Sequence, residues 1–193
     1  MEILGKILGN PARVKIMRLF LSNKESSFSS QDIIKRSRVN AVLVRSELRL
    51  LNAVGFIKKH GQAWFFDFSF KYGVEFENLL VRSESLSNEA ILNHFKKVGK
   101  IKLFIVAGVF IKNKDSRVDL LIVGDKLNKS KIEKGIKNIE AEVGIELVYA
   151  MFETKEFDYR LNMYDKLVRD ILDFPHEIVW QAKELNIKVA RHL

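Results

Sequence analysis

The stretch from residue 39 to residue 57, V-N-A-V-L-V-R-S-E-L-R-L-L-N-A-V-G-F-I, constrains the fold most, because it reads as one helix with both ends marked. The side-chain oxygen of Asn40 can accept from the orphan amides of a first turn, and Gly55 stands where a left-handed residue after the last turn belongs. Val44, Leu48 and Leu51 recur at i, i+4 and i+7, a stripe that must be buried. At about 100° per residue the opposite side carries Val42, Ser46 and Arg49, flanked by Leu43, Arg45 and Leu50.

The neighbouring segments give this helix a context. A helix from Ser29 or Ser30 to about Arg38 precedes it across a short turn. The segment F-I-K-K-H-G-Q-A-W-F-F-D-F follows as two strand-like runs around Gly61-Gln62. Helix, turn, helix and basic hairpin is the order of a winged helix-turn-helix, in which the second helix enters the major groove and the hairpin touches the backbone. Two arginines one turn apart suit that role, since a guanidinium reaches both phosphate oxygens and the guanine edge. The expected contact residues are Ser29, Ser30, Asn40, Ala41, Val42, Arg45, Ser46 and Arg49, with Lys58, Lys59, His60 and Gln62 on the hairpin. Strand side chains alternate, so only part of the hairpin set would face a duplex. Val42, Leu43 and Leu50 point the other way: an outward face this apolar also suits contact with another protein.

Charge supports the first reading for one half of the chain only. Residues 1–82 hold 14 Lys+Arg against 7 Asp+Glu, whereas residues 83–193 hold 19 against 17. A polyanionic partner is therefore expected for the first half. No cysteine is present, which excludes disulfides, Cys-ligated zinc and thiol catalysis. The first apolar residues are interrupted by Glu2, Lys6 and Gly9, and no apolar run approaches the ~20 residues of a membrane span. A cytoplasmic protein is expected, with no membrane partner. The four histidines are dispersed and suggest no metal site.

Elsewhere, residues 2–9 form a candidate lead-in helix, and Asn10-Pro11 opens a helix to about Leu21. Ser26 to Ser30 reads as a loop, and Lys71 to Arg82 as a helix that closes the domain or dimerises it. Ser83-Glu84-Ser85-Leu86-Ser87 is the best boundary. It separates an expected DNA-binding domain, 1–82, from an α/β domain, 88–180, with a tail at 181–193 that reads as a terminal helix. The α/β domain is expected to run as helix 88–98, strand I-K-L-F-I-V-A-G-V-F-I, strand V-D-L-L-I-V, helix 129–143 and strand I-E-L-V-Y-A-M-F. One long helix then follows, capped by Thr154, with Phe157, Leu161, Tyr164, Val168 and Ile171 on one stripe, and ends at Pro175. The overall class is α+β, two domains, the second a small mixed sheet covered by helices.

On R-V-D-L-L-I-V-G-D (residues 117–125) and I-E-L-V-Y-A-M-F-E-T-K-E-F (residues 145–157), the second half resembles a minimal nucleotidyltransferase-fold domain. In element order nearly all 193 residues are similar to bacterial ArsR/MarR-like winged-helix proteins that carry such a domain at the C-terminus. In active members the first strand ends in Gly-Ser, the second carries acid-x-acid and the next a third acid, a set that holds magnesium on nucleotide phosphates. Here Gly108 is followed by Val109, Arg117 replaces the first acid, and only Asp119 and Glu146 remain. The guanidinium of Arg117 is expected to pair with Asp119 or Glu146. The resemblance therefore implies a transcriptional regulator that binds double-stranded DNA as a homodimer. Its second domain would be catalytically inactive, with no catalytic residue, cofactor or metal, and would serve dimerisation, docking or sensing of a nucleotide or protein effector, with Lys112 or Lys114 as nucleotide contacts. The alternatives are an active metal-dependent nucleotidyltransferase and an interaction module that does not bind DNA.

Overall fold

The helix that organises the sequence has its ends where its capping residues put them. In the computed structural model, which describes residues 3–82, 86–113 and 115–185, it runs Ala41–Ala53 (α4). The Asn40 side chain accepts from the Leu43 amide at 3.0 Å, and Gly55 takes φ +75°. Val44, Leu48 and Leu51 are buried as the stripe requires, each contributing about 1.5–3 kcal/mol of burial.

The chain divides into two compact units, Met1–Ser85 with Lys137–Glu146, and Leu86–Ile136 with Leu147–Leu193. The break between Ser85 and Leu86 falls inside the expected boundary; Ser83, Glu84 and Ser85 lie outside the described residues. Periodicity alone did not suggest that residues 137–146 cluster with the first unit.

The first unit runs α1 (Ile3–Ile7), α2 (Pro11–Ser22), β1 (Ser27–Ser29), α3 (Ser30–Ser37), α4, β2 (Ile57–His60), β3 (Ala63–Phe66) and α5 (Gly73–Glu77), which continues as a wider π turn over Asn78–Arg82. Asn10 caps α2 and Pro11 opens it, as expected. The serine-rich stretch is more than a loop. Ser27–Ser29 pairs antiparallel with β3, which makes a three-stranded sheet of order β1-β3-β2. Phe28 supplies the reason, because it is buried edge-on against Phe20, with ring centroids 5.6 Å apart. The hairpin turns at Gly61 and Gln62 between the paired His60 and Ala63, and Gly61 adopts φ +59°. Phe56, Phe66, Phe68 and Phe70 form a chain of edge-to-face contacts behind it.

The second unit is built on a four-stranded mixed sheet of order β6-β5-β4-β7. Its strands are β4 (Lys100–Val106), β5 (Leu120–Asp125), β6 (Tyr149–Glu153) and β7 (Glu177–Gln181). The β5/β6 pair is parallel and the other two are antiparallel. Helices α6 (Asn88–Asn93), α8 (Thr154–Asn162) and α9 (Lys166–Asp173) belong to this unit, and α7 (Lys129–Val143) begins in it and clusters with the first unit from Lys137 onward. Leu103, Ile105, Leu121, Val123, Phe152, Phe157, Val168 and Ile171 pack into one core.

Several boundaries differ from the expected ones. The first strand stops at Val106, because Gly108 takes φ +53° and opens a 3-10 turn over Gly108–Phe110. The expected helix 88–98 ends at Asn93. The long helix is two helices: Tyr164 adopts φ +55°, and Asp165 starts α9 by accepting from the Val168 amide at 3.1 Å. Tyr164 is consequently exposed instead of lying on the buried stripe. The N-cap of α8 is Glu153, and the Thr154 hydroxyl is buried with no hydrogen-bond partner among the described residues. At the edge of the tail, Glu177–Gln181 is a strand, with Trp180 opposite Phe104 and Ile178 opposite Ile105. Residues 186–193 of the expected terminal helix lie outside the described residues. No helix among the described residues is long and apolar enough to cross a membrane.

Candidate nucleic-acid interface

The local chemistry of α4 separates its charges by sign. Its one acid, Glu47, is buried on the inner side. There it accepts from the Arg13 guanidinium at 2.7 Å and from the Asn10 amide at 2.8 Å. The outer side carries Arg45, Ser46 and Arg49, all exposed, and neither arginine is ion-paired among the described residues. An outward face that keeps its cations and hides its carboxylate is suited to a polyanion. The same face is also apolar: Val42 is 72% exposed, Leu43 38% and Leu50 41%. Ala41 is half-buried at the start of the helix.

The serines ahead of α4 are largely committed to the fold. Ser29 and Asp32 form a reciprocal cap on α3, in which the Asp32 amide donates to the Ser29 hydroxyl at 3.1 Å and the Ser29 amide donates to the carboxylate at 3.0 Å. Hydrogen bonds from the Ser29 hydroxyl and amide hold the Asp32 carboxyl below its ordinary range. The Ser30 hydroxyl accepts from the Trp64 indole N–H at 3.2 Å, which ties α3 to the hairpin. Asn40 is exposed, but its side-chain oxygen is engaged as the cap of α4.

On the hairpin, Lys59, His60 and Gln62 are exposed. Lys59 lies over the Trp64 ring, 5.5 Å from its centroid, and Lys58 is partly neutralised by Asp67 at 3.7 Å. One cation that sequence reasoning missed is Arg38. It sits in the turn between α3 and α4 with φ +53°, a left-handed conformation that costs a non-glycine residue about 1–2 kcal/mol. It is exposed and not ion-paired among the described residues. A basic residue between two capped helices was the available signal.

Of the positions named from the nucleotidyltransferase resemblance, Gly108, Val109 and Asp119 meet in the second unit, whereas Arg117 pairs elsewhere and Glu146 clusters with the first unit. Asp119 immediately precedes β5 and is 8% exposed, with both oxygens occupied. Oδ1 accepts from the Val109 amide at 2.9 Å and Oδ2 from the Val148 amide at 2.8 Å. Gly108 lies so close that a Cβ there would stand 2.0 Å from Oδ1. The expected pairing of Arg117 is corrected, since its guanidinium meets Asp170 on α9 at 2.9 Å, not Asp119 or Glu146. Nor does Glu146 lie on a strand; β6 begins at Tyr149, and the exposed Glu146 side chain is 3.6 Å from Arg36. Val109 is the middle residue of the 3-10 turn and is 38% exposed. Among the described residues, no three His, Asp or Glu side chains converge as a metal site would need. Of the two lysines named for nucleotide contact, Lys112 is exposed at φ +58° and Lys114 lies outside the described residues.

No family model, curated protein or solved structure matches the chain.

Proposed function

We propose that the protein is a DNA-binding transcriptional regulator. Its first unit would act as a winged helix-turn-helix, and its second as a nucleotidyltransferase-like domain retained for dimerisation, docking or sensing. The observation that carries this reading is the outward face of α4, where Arg45 and Arg49 stand exposed on a capped helix while Glu47 is drawn inward by Arg13. Because one recognition helix covers only a few base pairs, the working form is a homodimer on two half-sites. An inactive second domain is supported by the use of both Asp119 oxygens on backbone amides and by the pairing of Arg117 with Asp170. The test is fluorescence anisotropy with duplex from the gene's own upstream region and with scrambled duplex, at two salt concentrations. Selective binding that weakens steeply with salt and is lost in R45E/R49E is the expected result. Binding that is equal for all sequences and indifferent to the double variant would remove the reading.

A second reading is favoured by the exposure of Val42, Leu43 and Leu50: this face docks another protein and no duplex. The same experiment decides between them, because on this second reading neither the upstream nor the scrambled duplex binds, with or without R45E/R49E.

A further inference from the structure

The second half of the chain is nearly neutral as a whole, but its charge is unevenly placed. Within the second unit, residues 86–136 hold 11 Lys+Arg against 5 Asp+Glu, while residues 147–193 hold 7 against 8. Seven of those lysines fall in two short segments, K-K-V-G-K at 96–100 and D-K-L-N-K-S-K-I-E-K at 125–134, with Asp125 and Glu133 as the only acids.

The fold brings these segments together. Lys100 begins β4 opposite Asp125 at the end of β5. The Asn128 amide donates to the Val98 carbonyl at 2.6 Å, and the Lys131 ammonium donates to the Lys97 carbonyl at 3.3 Å. A Cβ at Gly99 would stand 2.6 Å from the Lys126 carbonyl, so the two backbones are in contact. Lys96, Lys97, Lys100, Lys126, Lys129, Lys131 and Lys134 are all exposed, and none is ion-paired among the described residues. Asp125 and Glu133 are half-buried. This end of the sheet is opposite the end that carries Gly108 and Asp119, since β4 and β5 run antiparallel between the two.

We infer that this lysine face is a second polyanion-binding surface, one that holds the phosphate backbone of duplex nucleic acid without reading its sequence. Seven like charges on two touching segments repel one another, and a partner that neutralises them relieves that repulsion. The residue types choose the partner. Lysine is a point charge on a flexible stem, suited to phosphate, and the two segments hold no arginine or aromatic side chain that would read base edges or stack on them. The face also lacks the exposed apolar side chains that insert into a bilayer, as Val98 is buried and Leu127 half-buried. The inference is independent of what α4 binds.

The test uses the full chain carrying R45E/R49E, titrated with scrambled duplex over a range of salt concentrations. Residual, salt-sensitive binding is expected. Adding K97N, K126N, K129Q and K131Q should lower the log–log salt slope by about 0.9 for each phosphate that is no longer neutralised, and weaken low-salt binding by roughly tenfold or more. Asparagine is chosen at 97 and 126 because both positions have φ above +50°. The pair K129Q/K131Q alone, which leaves those backbones untouched, should give about half the change in slope. An unchanged thermal midpoint shows that the variants fold. No residual duplex binding in the R45E/R49E protein, or a slope indifferent to the lysines, overturns the inference. Lysine-dependent binding to phosphatidylserine vesicles, with duplex binding unaffected, would also overturn it.

Discussion

Glu47 and Asp119 are both buried carboxylates, one in each unit, but they are satisfied by different kinds of partner. Glu47 takes side chains, the Arg13 guanidinium and the Asn10 amide at the start of α2. It therefore ties one helix to another and leaves the far side of α4 free of negative charge. Asp119 takes backbone amides, those of Val109 and Val148, and so fastens the turn that follows β4 and the segment that leads into β6. The first arrangement uses a cation to neutralise the carboxylate; the second spreads its charge over fixed peptide dipoles and needs none. A carboxylate in a sequence thus does not reveal whether it is a ligand, an ion-pair partner or a staple until its donors are known.

Removing the carboxylates should expose that difference. The largest effect is expected for Asp119→Ala, which orphans two amide donors and should cost about 3–5 kcal/mol in urea unfolding. Asp119→Asn, which keeps one acceptor oxygen, should cost less. If Asp119→Ala cost under ~1 kcal/mol, water would be replacing the carboxylate and the staple would be dispensable. Gly108→Ala tests the same site from outside. Its new Cβ would stand 2.0 Å from Oδ1 on a backbone at φ +53°, so a loss of about 2–3 kcal/mol is expected. On the other side of the comparison, Glu47→Gln leaves Arg13 facing a neutral group. Because Arg13 is 27% exposed and can rehydrate, a loss nearer to 2 kcal/mol is expected.

Two smaller effects sharpen the picture of the first unit. Arg38→Gly should stabilise the unit by about 0.5–1 kcal/mol by relieving the left-handed backbone, while duplex binding weakens if the guanidinium contacts phosphate. Opposite signs for stability and binding would show that Arg38 is held there for its charge, and a gain without a binding loss would show that it is not. The smallest effect concerns pH. The Lys24 ammonium, with help from the Arg82 guanidinium, holds the Glu77 carboxyl below its ordinary value. Its contribution is therefore complete above the usual glutamate range and is lost as pH falls through the depressed folded value. Glu77→Gln should lower the thermal midpoint modestly near neutrality, where that contribution is complete, and converge with the unsubstituted protein in acid, which flattens the acid limb of the profile.

Much of the first unit was legible in its sequence because the information is local. Asn10 and Asn40 cap helices within three residues, Gly55 ends α4, and Gly61-Gln62 turns the hairpin, so each signal lies beside the structure it dictates. The strand at Ser27–Ser29 was hidden because its reason is distant: Phe28 meets Phe20, and the pairing partner is β3. The second unit was harder for the same reason. The strand at Glu177–Gln181 exists because β4 offers it an edge, and a helical stripe through Phe157, Leu161 and Ile171 cannot disclose that Asp165 will start a new helix within it. The candidate residues divided likewise. Arg45 and Arg49 face outward because the period of the helix fixes them, whereas the partner of Arg117 lies on α9, more than fifty residues along the chain, and spacing does not predict it.

The geometry around Asp119 also matters to anyone wishing to engineer this domain. Placing a carboxylate at position 117 would leave Asp170 without its cation and set two negative charges near each other. Freeing Asp119 to serve as a ligand would strip two amides of their acceptor. Each step toward a divalent-ion cluster passes through a less stable protein, so no single substitution leads there, and a library that varied one position at a time would not find the route.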